Sequence, residues 1–217
     1  MKVMTSAVSF GVRDITPEPY AVTPHLAARI GVSCTADEPV HAIALRAQVR
    51  IEPAHRRYSD IEAAGLLDLF GPRHRWQDTQ RTFLWMHTAT MVPGFTCATQ
   101  FALPMPCTYD FEVASAKYLH ALRGGSVPLL FLFSGTIFGA GESGFAVQQV
   151  SWDCDDRYEM PVAVWDDLMG RHYPDQSWIR LGHDTAAALT EFKSAQGLLD
   201  LDAAVAALLT GRPEGTP

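Results

Sequence analysis

The sequence lacks a long hydrophobic run, an excess of positive charge and a recognisable leader segment. Its most apolar stretch, Val127 to Phe138, is much shorter than the ~20 residues that a membrane-spanning helix needs. The formal net charge of −7 disfavours general nucleic-acid binding, which requires a basic surface. Residues 1–10 contain no basic segment followed by an apolar one. We therefore expect a cytoplasmic protein that neither enters a membrane nor binds nucleic acid.

Several cofactor and catalytic motifs are also missing. The four cysteines form no C-x-x-C pair, which argues against a zinc ribbon, a thioredoxin-like motif or a disulfide scaffold. The glycine-rich stretch 135–144 lacks the Lys-Ser/Thr of a phosphate-binding loop, and its Ser-Gly pairs do not form a G-x-S-x-G elbow. Cys154 lies among aspartates that disfavour its thiolate, so we expect it to be a poor nucleophile.

Alternating apolar and polar residues dominate the first 160 positions. The clearest example is 40–51, where Ile43, Leu45 and Val49 share one face while Arg46 and Arg50 share the other, a pattern typical of an antiparallel strand with one solvated face. Further strands are predicted at 8–12, 26–34, 82–91, 96–103, 109–122, 127–138 and 145–152. The prediction is a mainly β (α+β) fold, an antiparallel β-sandwich of about eight strands.

Helical signals interrupt the strands once and then replace them. Ser59 and Glu62 form an S-x-x-E capping box, and Gly71-Pro72 ends the segment, so a helical insertion is predicted at 59–71. Helical spacing returns at 161–173, with further helices after Asp184 and near Asp200. We expect residues 1–160 to form the sandwich, 161–211 to form helices packed on the same domain, and 212–217 to be a flexible tail.

Positive charge is concentrated in one part of this acidic chain. Residues 41–81 hold seven of the 17 Lys and Arg but only five of the 24 Asp and Glu, so this window is +2 and the remainder is −9. Arg and Trp are frequent anchors of protein interfaces. The candidate partner-binding residues are Arg46, Arg50, Arg73, Arg75, Trp76 and Trp85. The alternative is that the tryptophans only fill the edge of the sandwich.

Two other residue sets have the chemistry of a site. Cys and neutral His are ligands for zinc or iron, and four of them come from neighbouring predicted β segments. These candidate metal ligands are His87, Cys97, Cys107 and His120. Cys97 has the parity of Phe95, Phe101 and Leu103, so a buried thiol is the competing interpretation. Asp110 and Glu112 share a predicted strand face and are either an acid/base pair or part of a solvated face.

Seven segments together resemble a bacterial family described only as a domain of unknown function. They are VHAIALR at 40–46, LDLFG at 67–71, FLW at 83–85, MVPGF at 91–95, PCTYDFE at 106–112, KYLHAL at 117–122 and LFSGT at 132–136. The resemblance covers roughly residues 5–205. Genes of that family are found near those for uptake nickel–iron hydrogenases, so the resemblance implies a role in hydrogenase assembly or support. It carries over no catalytic residues.

Three functions are therefore compatible with the sequence. The first is a non-catalytic adaptor or assembly protein without a cofactor, which binds a protein partner such as a hydrogenase subunit. The second, from a different class, is a small metalloprotein or metal-dependent enzyme that holds zinc or iron through the Cys/His set. The third is a chaperone-like role, suggested only by the order of strands and helices. The oligomeric state does not follow from the sequence.

Overall fold

The computed structural model describes residues 8–35, 39–108, 113–140, 144, 146–174, 179 and 181–211. The chain divides into two compact units, Met1–Ser177 and Trp178–Pro217. No helix in these ranges is both long enough and apolar enough to cross a bilayer.

Eight strands and seven helices are formed by the described residues, with short 3-10 turns at Pro53–His55 and Arg73–Arg75. The strands are β1 (Val8–Pro17), β2 (His25–Cys34), β3 (Val40–Ile51), β4 (Phe83–Phe95), β5 (Ala98–Pro106), β6 (Ser126–Gly139), β7 (Ala146–Gln149) and β8 (Asp155–Pro161). The helices are α1 (Asp60–Gly65), α2 (Leu67–Phe70), α3 (Trp76–Thr79), α4 (Ala114–Ala121), α5 (Val162–His172), α6 (His183–Ala195) and α7 (Leu201–Thr210).

The strands form two antiparallel sheets, which confirms the predicted mainly β sandwich. The smaller sheet has the order β1-β2-β5, and the larger has the order β4-β3-β6-β7. β8 also pairs with β6, alongside Ser126–Leu132, whereas β7 pairs with Thr136–Gly139. β3 is therefore hydrogen-bonded on both sides, with Arg46 opposite Ala89 of β4 and Ser134 of β6.

The core consists of the alternate residues that the strands direct between the two sheets. In β3 every second residue from Ile43 to Ile51 is buried, as its alternation predicts. The facing sheet supplies Val12, Ile15 and Ile30 among others, and α5 closes the core with Trp165. The core of this unit thus depends on the strand pattern that is readable from the sequence.

Both edges of the smaller sheet are protected by side-chain contacts. The Val12 amide of β1 donates to Asp156 Oδ2 at 2.6 Å, and Cys154 Sγ donates to the Val8 carbonyl at 3.3 Å. On the other edge, Thr88 Oγ1 of β4 donates to the Pro104 carbonyl of β5. Because exposed strand edges can pair with strands of other chains, these contacts should oppose such pairing at both edges.

The predicted insertion is helical but divided. Ser59 caps α1, and the reciprocal bonds with Glu62 form the predicted capping box. A break at Leu66 separates α1 from α2, and Gly71, with φ of 70°, ends the second helix. A 3-10 turn and α3 then extend the insertion beyond its predicted end.

The strand predicted at 109–122 is wrong over its second half, which forms α4. Ala, Leu and Lys favour helices, and residues 115, 116, 118 and 119 are buried on one helical face. The carboxylate pair Asp110 and Glu112 lies outside the described residues. The strand predicted at 145–152 is shorter, and the sequence does not indicate β8, which follows it, because Asp and Glu are depleted in strands.

The C-terminal helices follow the predicted periodicity. In α5 the buried residues are Val162, Trp165, Leu168 and Met169. α5 belongs to the first unit, whereas α6 and α7 form the second and contact each other. Asp200 caps α7 by accepting a hydrogen bond from the Ala203 amide at 2.8 Å. The predicted docking of 161–211 on the sandwich as a single body stays a prediction, and the predicted tail at 212–217 lies outside the described residues.

Candidate functional site

The six predicted partner-binding residues lie in three different surroundings. Arg73 and Trp76 stabilise the helical insertion itself. The Arg73 guanidinium donates to the carbonyls of Tyr58 and Ser59, each at 2.8 Å, and lies 5.7 Å from the centre of the Trp76 ring. Trp76 Nε1 donates to the Gly71 carbonyl at 2.8 Å. Both side chains are therefore engaged within the insertion.

The other four predicted partner-binding residues are divided among the insertion, the core and the outer face of β3. Arg75 is exposed on the insertion, and Trp85 contacts Trp165 with ring centres 6.4 Å apart. Arg46 and Arg50 lie on the outer face of β3, as their parity predicts. Trp85 is thus a half-buried neighbour of the core, whereas Arg46 faces solvent on the larger sheet.

The structure does not bring the four candidate metal ligands together, which corrects the predicted ligand set. Cys97 and Cys107 flank opposite ends of β5, and at about 3.3 Å per residue this strand places them roughly 30 Å apart. No group of three or more His, Cys, Asp and Glu residues is close enough to hold a metal ion within the described ranges. A tetrahedral site requires all ligands within about 2.3 Å of the ion, so this set cannot form one.

The four side chains also differ in their surroundings. Cys97 is exposed with φ of 68° in the turn between β4 and β5, and not on an apolar strand face as predicted. Burial raises the pKa of Cys107 to about 12, so its thiol stays protonated. Burial also raises the pKa of Cys154, and Asp153 raises it further, in agreement with its predicted poor reactivity. His87 is exposed on β4.

His120 packs on the core as a neutral side chain. Its ring centre lies 5.5 Å from that of Trp165. Burial, followed by the charge of Arg123, lowers the pKa of His120 to about 4. An unfolded chain has a histidine pKa of about 6.5, so between these values the unfolded state binds more protons than the folded state.

We therefore expect the free energy of unfolding to fall as the pH drops from about 6.5 towards 4, in part through His120. The variant His120→Gln should show a smaller loss between these pH values in urea titrations. His74→Gln, which changes an exposed histidine of the insertion, serves as the control and should follow the wild type. A proton NMR titration that placed the His120 midpoint near the ordinary histidine value would contradict the assignment.

An open groove of the bigger sheet lies on its outer face. It has a volume of about 390 Å³ and crosses the central strand β3 and its two neighbours. It is lined by Arg46, Ala47, Gln48, His87, Thr88, Ala89 and Ser134. The groove therefore unites one predicted partner-binding residue with one predicted metal ligand, through a strand register that the sequence does not reveal.

Two exposed apolar side chains of β4 lie beside the groove on the same sheet face. Leu84 is opposite Arg50, and Met91 is opposite Ala44. Leu84 is 42% exposed and Met91 is 61% exposed. Met and Arg are both enriched in protein interfaces relative to the rest of the surface. We call this surface, made of Leu84, His87, Met91, Arg46, Gln48, Arg50 and Ser134, the β3–β4 face.

The side chains of the groove favour binding over covalent chemistry. Arg46, Gln48 and Ser134 supply hydrogen-bond donors, and His87 is the one histidine among the lining residues. The lining residues include no carboxylate and no thiol, so no acid/base pair or nucleophile–base pair is assembled there. Acidic residues on this sheet face occur at β8, where Asp155 is opposite Leu132 of β6.

Comparison with known proteins gives a family match but no informative structural relative. The family described as "Family of unknown function (DUF6084)" matches residues 4–216. No curated protein sequence matches the chain.

Solved structures resemble the chain only weakly. A β-glucosidase from Kluyveromyces marxianus matches with 8% identity and a TM-score of 0.27, and the match covers 72% of this chain and 15% of the glucosidase. A putative ApaA protein from Bordetella pertussis matches with 12% identity and a TM-score of 0.23, covering 71% of this chain and 93% of that protein. The chain thus spans a small part of the glucosidase, and neither likeness supports a functional argument.

Proposed function

The chain belongs to the DUF6084 family, and we propose that this member is a non-catalytic protein-binding module that supports a nickel–iron hydrogenase. The observation that carries the proposal is the β3–β4 face, where an arginine-centred groove of about 390 Å³ lies among exposed apolar side chains. The hydrogenase as partner rests on the family resemblance of the sequence and not on the groove.

The charge of the groove specifies what the partner must present. Arg46 is exposed near the centre of the surface, and the groove lining contains no acidic residue, although the chain as a whole carries a net charge of −7. A partner segment with a carboxylate flanked by apolar residues would pair with Arg46 and cover Met91 and Leu84. The occupant that we propose is therefore an acidic, partly apolar segment of a hydrogenase subunit.

The test uses purified hydrogenase large and small subunits, each titrated against the immobilised chain by biolayer interferometry. We expect one subunit to bind, and Arg46→Glu to raise the dissociation constant by about tenfold or more, because it replaces attraction by repulsion. Met91→Asp should weaken binding in the same way by removing apolar contact. Arg29→Glu provides the matched control, since Arg29 is an exposed arginine on the smaller sheet.

Three outcomes would count against the proposal. If Arg46→Glu and Met91→Asp both bind like the wild type, the β3–β4 face is not the binding surface. If Arg29→Glu weakens binding as much as Arg46→Glu, only the overall charge matters. If neither subunit binds the wild-type chain, the hydrogenase is not the partner. Circular dichroism of each variant checks that its fold is retained.

A further inference from the structure

A second groove lies on the outer face of the smaller sheet, away from the β3–β4 face. Its volume is about 340 Å³, which is at the lower end of the range for small-molecule sites. Its lining includes Ser9, Gly11, Arg13, Gly31, Ser33 and Gln100. Three features of this groove are not explained by the packing of the sandwich.

The first feature is a pair of glycines at the floor of the groove. Gly11 of β1 and Gly31 of β2 are directly opposite each other in the antiparallel register. Neither has a positive φ, so the backbone does not require glycine at these positions. Glycine within a strand weakens the sheet and often marks a place where another group approaches the backbone closely.

The group that approaches is the side chain of Arg13. A Cβ atom added at Gly31 would lie 3.0 Å from Arg13 Nε, closer than side chains normally pack. A Cβ added at Gly11 would lie 3.7 Å from Arg13 Cζ. The two glycines therefore leave space for the guanidinium to lie across the floor of the groove.

The second feature is a β-bulge at Arg13. Val12 is opposite Ile30 and Asp14 is opposite Arg29, so Arg13 is the extra residue of β1. A bulge redirects a side chain and recurs beside functional sites. Here it places Arg13 on the outer face while Val12 and Ile15 both remain in the core.

The third feature is that the guanidinium has no internal partner. Within the described ranges Arg13 makes no hydrogen bond, ion pair or ring contact, although it has five N–H donors. Further donors flank it. The hydroxyls of Ser9 and Ser33 are 2.7 Å apart and hydrogen-bonded to each other, and Gln100 lines the same groove.

From these features we infer that the groove around Arg13 binds a small monocarboxylate, such as a hydroxy acid. The planar guanidinium matches the two oxygens of a carboxylate, and the serine and glutamine side chains can bind a neighbouring hydroxyl group. Asp156 limits the charge of the ligand, because its Oδ2 would be 3.8 Å from a Cβ at Gly11 and would repel a dianion such as phosphate.

The experiment is an NMR titration of the full ¹⁵N-labelled chain with sodium lactate, following the amide signals of Gly11 and Gly31. We expect saturable shifts with a dissociation constant on the order of 1 mM, as suits one exposed ion pair with a few hydrogen bonds. Arg13→Gln should weaken binding about tenfold or more, and Arg13→Lys should only partly restore it, because an ammonium lacks the planar fork.

The matched control is Arg29→Gln. Arg29 is exposed on the same face of β2, two positions before Gly31, but it does not line the groove. This variant should bind lactate within roughly twofold of the wild type. Equal weakening by Arg29→Gln and Arg13→Gln would overturn the site, since the shifts would then report only general charge.

Two further probes test the class of ligand. Lactamide, which keeps the size and hydroxyl of lactate but has no charge, should cause no saturable shift. Inorganic phosphate should bind more weakly than lactate. Binding of lactamide equal to that of lactate, or tighter binding of phosphate, would contradict a carboxylate site, and the absence of any saturable shift with lactate would reject it altogether. None of these outcomes depends on whether a hydrogenase subunit binds the β3–β4 face.

Discussion

The variant Gly135→Ala is expected to lower the free energy of unfolding by about 3–5 kcal/mol. This value is the sum of two costs, a strained backbone at position 135 and the overlap of the added methyl group with neighbouring backbone in the centre of the sheet. Gly135 has φ of 151° in β6, a conformation that residues with a side chain rarely adopt. A Cβ atom there would overlap the Ala44 carbonyl oxygen and lie 3.1 Å from Leu45 Cα. For a chain of this length the melting temperature should fall by about 10 °C.

The surrounding sheet cannot move away from the added methyl group. Ala44 lies on β3 between Met91 of β4 and Thr136 of β6, so its backbone is fixed on both sides. Gly170→Ala is the matched control, because nothing lies within 4 Å of that position on α5. This variant should be neutral or stabilising by up to about 1 kcal/mol, since alanine favours a helix over glycine. Equal denaturation midpoints for the two variants would contradict the argument.

The parts of the fold that the sequence predicts are those with a strong local period. β3 has the predicted bounds and alternates regularly from Ile43 to Ile51, and α5 buries its residues at the predicted helical spacing. β8 has exposed charged residues and one fully buried apolar residue, Met160, so its strand character comes from pairing with β6. The strand prediction at 109–122 is wrong over α4 because the sequence alternation at 109–113 ends where helix-forming residues begin.

The candidate sites depend on register, which local patterns do not specify. The alternation of β3 correctly places Arg46 and Arg50 on the outer face, where Arg46 is exposed and Arg50 is half-buried, but only the pairing with β4 brings His87 beside Gln48. The groove at Arg13 depends on two further facts of pairing. Gly11 and Gly31 are opposite each other because of the β1–β2 register. The bulge at Arg13 is set by the buried residues on either side of it, Val12 and Ile15. Neither the β1–β2 register nor the bulge is marked by a motif in the sequence.

The ion pair between Glu62 and Arg56 is the contact whose loss should be felt most strongly in the insertion. Glu62 Oε1 accepts from Arg56 Nη2 at 2.6 Å and from the Arg123 amide at 3.0 Å. Its Oε2 accepts from the Ser59 amide at 2.8 Å and from the Ser59 hydroxyl at 3.0 Å. The two charged side chains are only 9% and 6% exposed. With four donors, this carboxylate therefore joins α1 to the segment between β3 and α1 and to the residue Arg123 that follows α4.

The variant Glu62→Gln places an amide group among donors and leaves Arg56 buried without its counter-charge. We expect the free energy of unfolding to fall by about 3–5 kcal/mol, the usual cost of removing one partner of a buried pair. Asp60→Asn is the matched control in the same helical turn. The Asp60 side chain is 96% exposed and lies 3.1 Å from Arg73, so its loss should cost less than about 1 kcal/mol. Urea denaturation of both variants measures the difference.

The pH dependence of the difference in stability between the wild type and Glu62→Gln identifies the charge of Glu62 as the cause of that difference. Burial alone would raise the pKa of Glu62, but hydrogen bonds from Arg123 and Ser59 and the charge of Arg56 outweigh it and lower the pKa. A carboxyl with a lowered pKa in the folded state stabilises the fold above its unfolded pKa of about 4.3, and this contribution is lost as the pH falls through the folded value. The advantage of the wild type over Glu62→Gln should therefore be full at neutral pH and shrink below about pH 4. An advantage that stayed constant down to the acid transition would show that packing or neutral hydrogen bonds, and not the ion pair, hold the insertion in place.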